Sequence, residues 1–79
     1  MKLVIAKVDE VYFDGEAQSV TLPGAAGELT VLAHHEPLIT TLKEGTITVR
    51  AAHLEGGAIT FSITKGLLEV RSDGATVIL

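Results

Sequence analysis

The chain has 79 residues, no cysteine and a formal net charge of -4, and its six lysine and arginine residues form no cluster. This length predicts one domain with a thin core, and the lack of cysteine excludes disulfides and thiolate metal sites. The sparse positive charge argues against a surface for nucleic acid or anionic lipid. With 47% hydrophobic residues and a mean hydropathy of +0.42, part of the surface is expected to meet a partner.

The first third of the chain predicts short strands separated by turns. Strand-like segments occupy residues 2–8, 17–22 and 28–32. Asp14-Gly15 and the "PGAAG" segment at residues 23–27 carry turn-forming residues and are expected to separate these strands. The N-terminus becomes charged too early for a signal peptide, and no apolar run approaches the ~20 residues of a membrane span. These features predict a cytoplasmic protein.

Residues 36–45 carry conflicting signals. Pro37 and Gly45 stand where the first turn and the end of a short helix tolerate them. Residues 39–41, however, are three consecutive β-branched residues, which lose side-chain freedom in a helix and suit a pleated strand. Propensity alone leaves helix and strand open for this segment.

Two hairpins are predicted in the second half of the chain. Apolar residues alternate with polar ones in residues 46–51 and 58–64, which flank Gly56 and Gly57. Residues 67–72 and 75–79 flank Asp73-Gly74, a dipeptide typical of tight hairpin turns. Short strands with closely spaced turns predict an all-β fold, an antiparallel β-sandwich or flattened barrel of about 8–10 strands.

The segment "VLAHHEPL" is the place where the sequence most resembles a chemical site, because His34, His35 and Glu36 are adjacent. If these residues continue a strand, the two imidazoles point to opposite faces and do not share a metal ion. Only His53 is available to complete a set of histidine ligands. A metal or catalytic site is therefore less favoured than a partner contact or a solvated loop.

Residues 27–45, "GELTVLAHHEPLITTLKEG", resemble the signature of the epsilon subunit of rotary F-type ATP synthases. The preceding "PGAAGE" and the final "GLLEVRSDGATVIL" are similar to flanking segments of that family. The resemblance implies that residues 1–79 form its N-terminal domain, a flattened ten-stranded β-sandwich in which residues 38–42 are extended.

The sequence departs from the family pattern at three places. Ala33-His34 replaces a Pro-Gly or Pro-Asn pair, and Lys65 stands where the family commonly has a small residue. The chain stops at Leu79, whereas family members usually continue into a hairpin of two helices. Without that hairpin, this chain is expected neither to bind ATP nor to inhibit ATP hydrolysis.

The resemblance implies a non-catalytic subunit of the central stalk in a proton- or sodium-translocating ATP synthase. Such a subunit docks on the gamma subunit and on the loops of the c-ring, and couples rotation to ATP synthesis. It contacts the alpha/beta hexamer only indirectly, uses no cofactor, and lies at the cytoplasmic face of the bacterial inner membrane.

Six positions are assigned to partner contact by the resemblance: Lys7, Glu28, His35, Pro37, Leu38 and Thr40. Glu28 and His35 fall where the family touches the c-ring loops or the foot of gamma. Lys7 and Thr40 fall at positions that face gamma. Pro37 and Leu38 shape the turn that follows His35.

A function of another class is a biotinyl or lipoyl carrier domain, which presents a lysine on a hairpin. Lys43 and Lys65 are the candidates, and neither stands in the Met-Lys-Met or Asp-Lys setting of such carriers. A carrier would gain the mass of its cofactor when it is expressed with its ligase, so intact mass tests this alternative.

Overall fold

A computed structural model describes all 79 residues. It contains nine strands and one three-residue 3-10 turn, Glu55–Gly57. The strands are β1 (Lys2–Lys7), β2 (Glu10–Glu16), β3 (Ser19–Gly24), β4 (Gly27–Leu32), β5 (Leu38–Leu42), β6 (Gly45–Arg50), β7 (Ala58–Ile63), β8 (Gly66–Arg71) and β9 (Gly74–Ile78). The all-β class and the extended segment at residues 38–42 are confirmed. The structure has no helix that is long and apolar enough to cross a membrane.

The nine strands form one hydrogen-bonded sheet that is curled into two layers. One layer has the order β2-β1-β9-β8-β5, and the other has the order β4-β3-β6-β7. The layers join where β3 and β5 share a single paired position, Gly24 with Leu42. The structure is therefore a flattened barrel in which β2 and β7, the first and last strands of the continuous pairing order, do not pair with each other.

One strand pair departs from the expected antiparallel arrangement. β1 and β9 run parallel, in register from Lys2 opposite Gly74 to Ala6 opposite Ile78. All other pairs are antiparallel. Period-two alternation predicts which face of a strand is buried, but it carries no information on strand direction. The ends of the chain are thus tied together in the middle of the five-stranded layer.

The core lies between the two layers and is apolar. Each inner strand contributes alternate side chains to it, as the pleat requires. Its members are Leu3, Ile5, Ala17, Val20, Leu22, Val31, Leu42, Ile47, Val49, Ile63, Leu68, Val70, Ala75 and Val77. No buried side-chain nitrogen or oxygen lacks a hydrogen-bond partner, so no desolvation penalty opposes packing of this core.

The predicted hairpins are present, but the turns differ from expectation at two places. Gly56 and Gly57 adopt φ values of 72° and 79°, as their place between β6 and β7 predicts. Asp14-Gly15 was expected to be a turn and instead lies inside β2, opposite β1. The cross-strand partners in β1 keep this dipeptide extended despite its turn propensity.

The turn between β8 and β9 is shifted by one residue from the predicted Asp73-Gly74. Its two residues are Ser72 and Asp73, while Gly74 already pairs with Arg71 as the first residue of β9. Gly74 is required for a different reason, because a Cβ at this position would collide with the carbonyl group of Lys2. A close approach between β1 and β9, not a left-handed turn, explains this glycine.

Candidate functional site

The outer face of the five-stranded layer carries a row of exposed and half-buried aliphatic side chains, which we call the aliphatic row. It consists of Val11, Ala6, Ile78 and Leu67, which are paired in turn across β2, β1, β9 and β8. Val11 is 63% exposed, Ile78 48% and Leu67 43%. Val8, in the turn after β1, is also fully exposed. Clustered exposed apolar side chains of this kind are typical of an interaction surface.

Beside the aliphatic row, the same face carries charges that are paired with one another. Arg71 donates to Glu69 and Asp73, each at 3.3 Å, and to the hydroxyl of Thr76 at 2.9 Å. Lys2 forms an ion pair with Asp14 at 3.1 Å. These exposed pairs contribute little to stability, but they leave no strong local charge of one sign beside the row.

The outer face of the four-stranded layer is polar. Thr30, Thr21, Thr48 and Thr60 are paired in turn across β4, β3, β6 and β7, and we call them the threonine row. The hydroxyl oxygens of Thr21 and Thr30 lie 3.0 Å apart, in hydrogen-bond contact. The two outer faces of the molecule therefore differ in chemistry: the aliphatic row joins several exposed apolar side chains, whereas the four-stranded layer presents the threonine row and the single exposed Leu32.

The sequence-predicted contact residues are divided between the two ends of the sandwich. Lys7 and Glu28 lie at the end that also carries Lys43 and Lys65, which we call the lysine end. His35 and Pro37 lie in the β4–β5 loop at the opposite end, with the loop between β6 and β7. We call this the histidine end. No single contact with a small loop can include all of these residues.

The β4–β5 loop turns at a strained residue. His34 adopts a φ of 65°, in the left-handed region that few residues other than glycine occupy. The backbone N–H of His35 donates to the carbonyl of Leu32 at 3.1 Å, and its Nδ1 lies 2.8 Å from the carbonyl oxygen of Glu36. His34 is therefore a turn residue and His35 follows it in the loop, so the two do not continue β4 as a strand.

All three histidines lie at the histidine end, yet they do not form a metal centre. No three His, Asp or Glu side chains come close enough to hold an ion together. His53 instead lies beside the ring of Phe13, with ring centroids 6.4 Å apart. The geometry favours contact or solvation for this loop over chelation.

Leu38 and Thr40 occupy the side of β5 that faces the core. Both are half-buried, and their partners across β8 are the buried Val70 and Leu68. The neighbouring Ile39 is 69% exposed on the outer face. Thr40 is thus the less accessible of the two neighbours, and Ile39 presents the larger accessible surface.

Lys7 borders a cleft of about 420 Å³ at the seam between β2 and β7. Tyr12 and Phe61 meet at this seam edge to face, with ring centroids 5.9 Å apart. Lys65 and Leu79 also line the cleft. The aromatic pair closes the core where the two edge strands leave a gap.

The apolar composition predicted that part of the surface meets a partner, but sequence reasoning did not locate this surface, although the sequence contains a signal for the aliphatic row. Leu67 and Leu68 are adjacent, as are Val77 and Ile78, so β8 and β9 are apolar on both faces at these positions. A strand with one solvated face should alternate instead. The break in alternation indicates a second face that avoids water.

The family model for "ATP synthase, Delta/Epsilon chain, beta-sandwich domain" matches residues 1–79. The ATP synthase epsilon chain of Herminiimonas arsenicoxydans is 37% identical over 78 residues, which cover 99% of this chain and 55% of that protein. The epsilon chain of Bordetella petrii is 38% identical over 78 residues, covering 99% and 54%. This chain spans about half the length of these curated relatives.

Two solved structures share the fold of this chain. A chain in the cryo-EM structure of the Euglena gracilis mitochondrial ATP synthase superposes with a TM-score of 0.84 at 27% identity, covering 99% of this chain and 49% of that one. A chain from the central stalk and c-ring of the Tetrahymena thermophila mitochondrial ATP synthase shares the fold, with a TM-score of 0.77 at 14% identity, covering 98% and 60%. With a family match over its whole length and this fold, the chain belongs to the β-sandwich domain family of ATP synthase delta and epsilon chains.

Proposed function

We propose that this chain is a non-catalytic domain of the central stalk in a bacterial ATP synthase. It docks on the gamma subunit and on the c-ring, and couples ion-driven rotation to ATP synthesis without a cofactor of its own. Its place is peripheral, at the cytoplasmic face of the inner membrane. Family membership supports this assignment, as does the fold shared with a chain from a solved central stalk and c-ring. The carrier alternative gains no support from these relatives.

The observation that carries the proposal is the aliphatic row. Exposed Val11, Ile78 and Leu67 lie side by side on one face, while the opposite face carries the threonine row. Burying apolar area contributes roughly 25 cal/mol per Å², so covering the aliphatic row favours association. We assign this face to gamma.

The two ends of the sandwich have separate roles in the proposed complex. His35 and Pro37 at the histidine end present a polar loop to the c-ring, and Leu38 anchors that loop against the core. Lys7 and Glu28 at the lysine end contribute polar contacts at the rim of the gamma interface, where charges steer association. Thr40 acts indirectly, by holding β5 in place between the ends.

Coupling in this proposal is mechanical. A rigid body is needed between gamma and the ring, so that torque is transmitted without loss. The two layers with one apolar core fit that need, because close-packed interiors have low compressibility and transmit strain. No proton transfer or covalent step within this domain is required.

The proposal is tested by binding to the gamma subunit of the same organism. Replacing Ile78 with lysine places a charge in the centre of the aliphatic row, and we expect the dissociation constant to rise by about tenfold or more, because burying an unpaired charge is unfavourable. The matched control is Thr48→Lys, which adds the same charge to the threonine row. Surface plasmon resonance measures both. Equal binding by I78K and the unmodified chain contradicts the assignment.

A second experiment addresses the c-ring. Reconstitution of an epsilon-depleted enzyme with this chain should restore proton pumping, and His35→Ala should reduce coupling while leaving binding to isolated gamma unchanged. Loss of gamma binding in H35A would instead place this loop in the gamma interface.

A further inference from the structure

β7 has an edge that lacks the usual protection against strand pairing. Three strands, β2, β4 and β7, have one unpaired side along their whole length. β2 carries Glu10, Asp14 and Glu16, and β4 carries Glu28, and charged residues on an edge discourage pairing with another chain. β7, with the sequence "AITFSI", contains no charge, no proline and no glycine. No charged side chain or proline of β7 therefore opposes the addition of another strand along its unpaired side.

The sequence of β7 is complementary to itself in the antiparallel direction. Residues 59–63 read Ile-Thr-Phe-Ser-Ile, a nearly symmetric pattern about Phe61. Pairing with a second copy in the register centred on Phe61 places Ile59 opposite Ile63 and Thr60 opposite Ser62. Aliphatic, aromatic and Thr–Ser pairs across strands are each favourable. Antiparallel pairing of β2 with β2 of a second copy, in the register centred on Phe13, would place Glu10 opposite Glu16, and these two negative charges repel each other.

We propose that β7 is a self-association edge, at which two copies of this chain pair antiparallel about a two-fold axis through Phe61. The four-stranded layers of the two copies then form one continuous sheet of eight strands. Such an interface is isologous and closed, so it gives a dimer and not a fibre.

The surface that the dimer covers is partly apolar. Ile59 points toward the core side of β7 and remains 38% exposed, because no strand lies beyond it. Phe61 is half-buried against Tyr12 at the seam. Pairing covers the exposed parts of both, while Thr60 and Ser62 on the outer face extend the threonine row across the axis. Main-chain hydrogen bonds supply affinity, as in other cases of strand addition.

This inference does not rest on the proposed docking to gamma. The aliphatic row lies on the outer face of the other layer, and none of its members belongs to β7. I78K is expected to weaken gamma binding and to leave the β7 dimer intact, and that combination of results separates the two surfaces.

The experiment is sedimentation velocity of the unmodified chain from micromolar to millimolar concentration, together with charge variants of β7. In Thr60→Lys/Ser62→Lys, a lysine on one copy stands opposite a lysine on the other, and we expect the dimer dissociation constant to rise by about tenfold or more. The double variant Thr60→Glu/Ser62→Glu should weaken the dimer in the same way, because a glutamate on one copy then stands opposite a glutamate on the other. A mixture of the two variants should form a heterodimer, because each lysine then faces a glutamate.

The matched control is Thr46→Lys/Thr48→Lys on β6, the neighbouring strand of the same outer face. β6 pairs with β7 along its whole length and with β3 at residues 48–50, so it is not an edge that a second copy reaches, and this variant should dimerise like the unmodified chain. The inference is overturned if the unmodified chain is monomeric at every concentration, if it forms open aggregates, or if the lysine variant of β7 dimerises normally. If the lysine and glutamate variants of β7 do not associate when they are mixed, the register centred on Phe61 is wrong.

Discussion

Glycine has different functions at different positions of this chain, and Gly74 and Gly15 show the contrast. A Cβ at Gly74 would overlap the carbonyl group of Lys2 on the parallel neighbour. A Cβ at Gly15 would meet only the ring of Phe13 at 3.9 Å, which is ordinary van der Waals contact. Neither residue has a positive φ, so the difference between them arises from space and not from backbone conformation.

Replacing Gly74 with alanine should destabilise the domain by about 1–3 kcal/mol, as overpacking does in other cores. The strands β1 and β9 must separate locally to admit the methyl group. Urea denaturation measures the loss, with Gly15→Ala as the control, which should remain within about 0.5 kcal/mol of the unmodified chain. Equal effects of the two substitutions would show that β1 and β9 are less closely packed than described.

The adjacent histidines lead to a prediction on metal binding. His34 and His35 lie in a turn, and no third ligand is close enough to complete a site with them. Calorimetric titration with Zn²⁺ should therefore give no tight stoichiometric binding, since zinc sites usually take three or four protein ligands. Sub-micromolar affinity that is lost in His35→Ala would contradict this prediction.

Individual strands were predictable to the extent that one face is buried and the other solvated. Alternation predicted the β6–β7 hairpin, and the family resemblance, not propensity, predicted that residues 38–42 are extended. Local patterns failed at Asp14-Gly15 and at Asp73-Gly74, where contacts with β1 decide the conformation. Those contacts join residues far apart in sequence, so no local rule contains them.

The alternation within β8 gives a prediction at the scale of one element. Leu68 is completely buried, whereas its neighbour Leu67 is 43% exposed on the other face. Leu68→Ala should lower the free energy of unfolding by about 2–5 kcal/mol through lost burial and a cavity. This loss is a large part of the total free energy of unfolding expected for a domain of this size, about 4–12 kcal/mol.

The matched substitution is Leu67→Ala, which should change the free energy of unfolding by about 0.5 kcal/mol or less and act on gamma binding instead. Thermal and urea denaturation, followed by circular dichroism, measure both variants. A strong destabilisation by L67A would mean that the aliphatic row belongs to the folded core and not to an interface.

At the scale of the whole molecule, the least predictable features were the partner surface and the closure of the sheet. The resemblance placed His35, Pro37 and Leu38 near one another, as they are in the structure, but it did not indicate that Lys7 and Glu28 lie at the other end. Period-two patterns fix burial strand by strand, whereas the relative placement of strands depends on long-range pairing. The aliphatic row becomes visible only when β2, β1, β9 and β8 are placed side by side.

The parallel pairing of β1 with β9 determines how the domain responds to force. Lys2 and Ile78 lie at opposite ends of this pair, so pulling on them in opposite directions slides the two strands along each other. Every hydrogen bond of the pair is then loaded at once, in shear. Pulling on Lys2 and Glu16, which face each other at one end of the β1–β2 pair, breaks the hydrogen bonds of that pair one after another.

In an optical trap, pulling on Lys2 and Ile78 should therefore require a clearly higher rupture force than pulling on Lys2 and Glu16. Equal rupture forces would contradict this prediction. The parallel pairing of β1 with β9 thus fastens the domain along the axis between its lysine end and its histidine end.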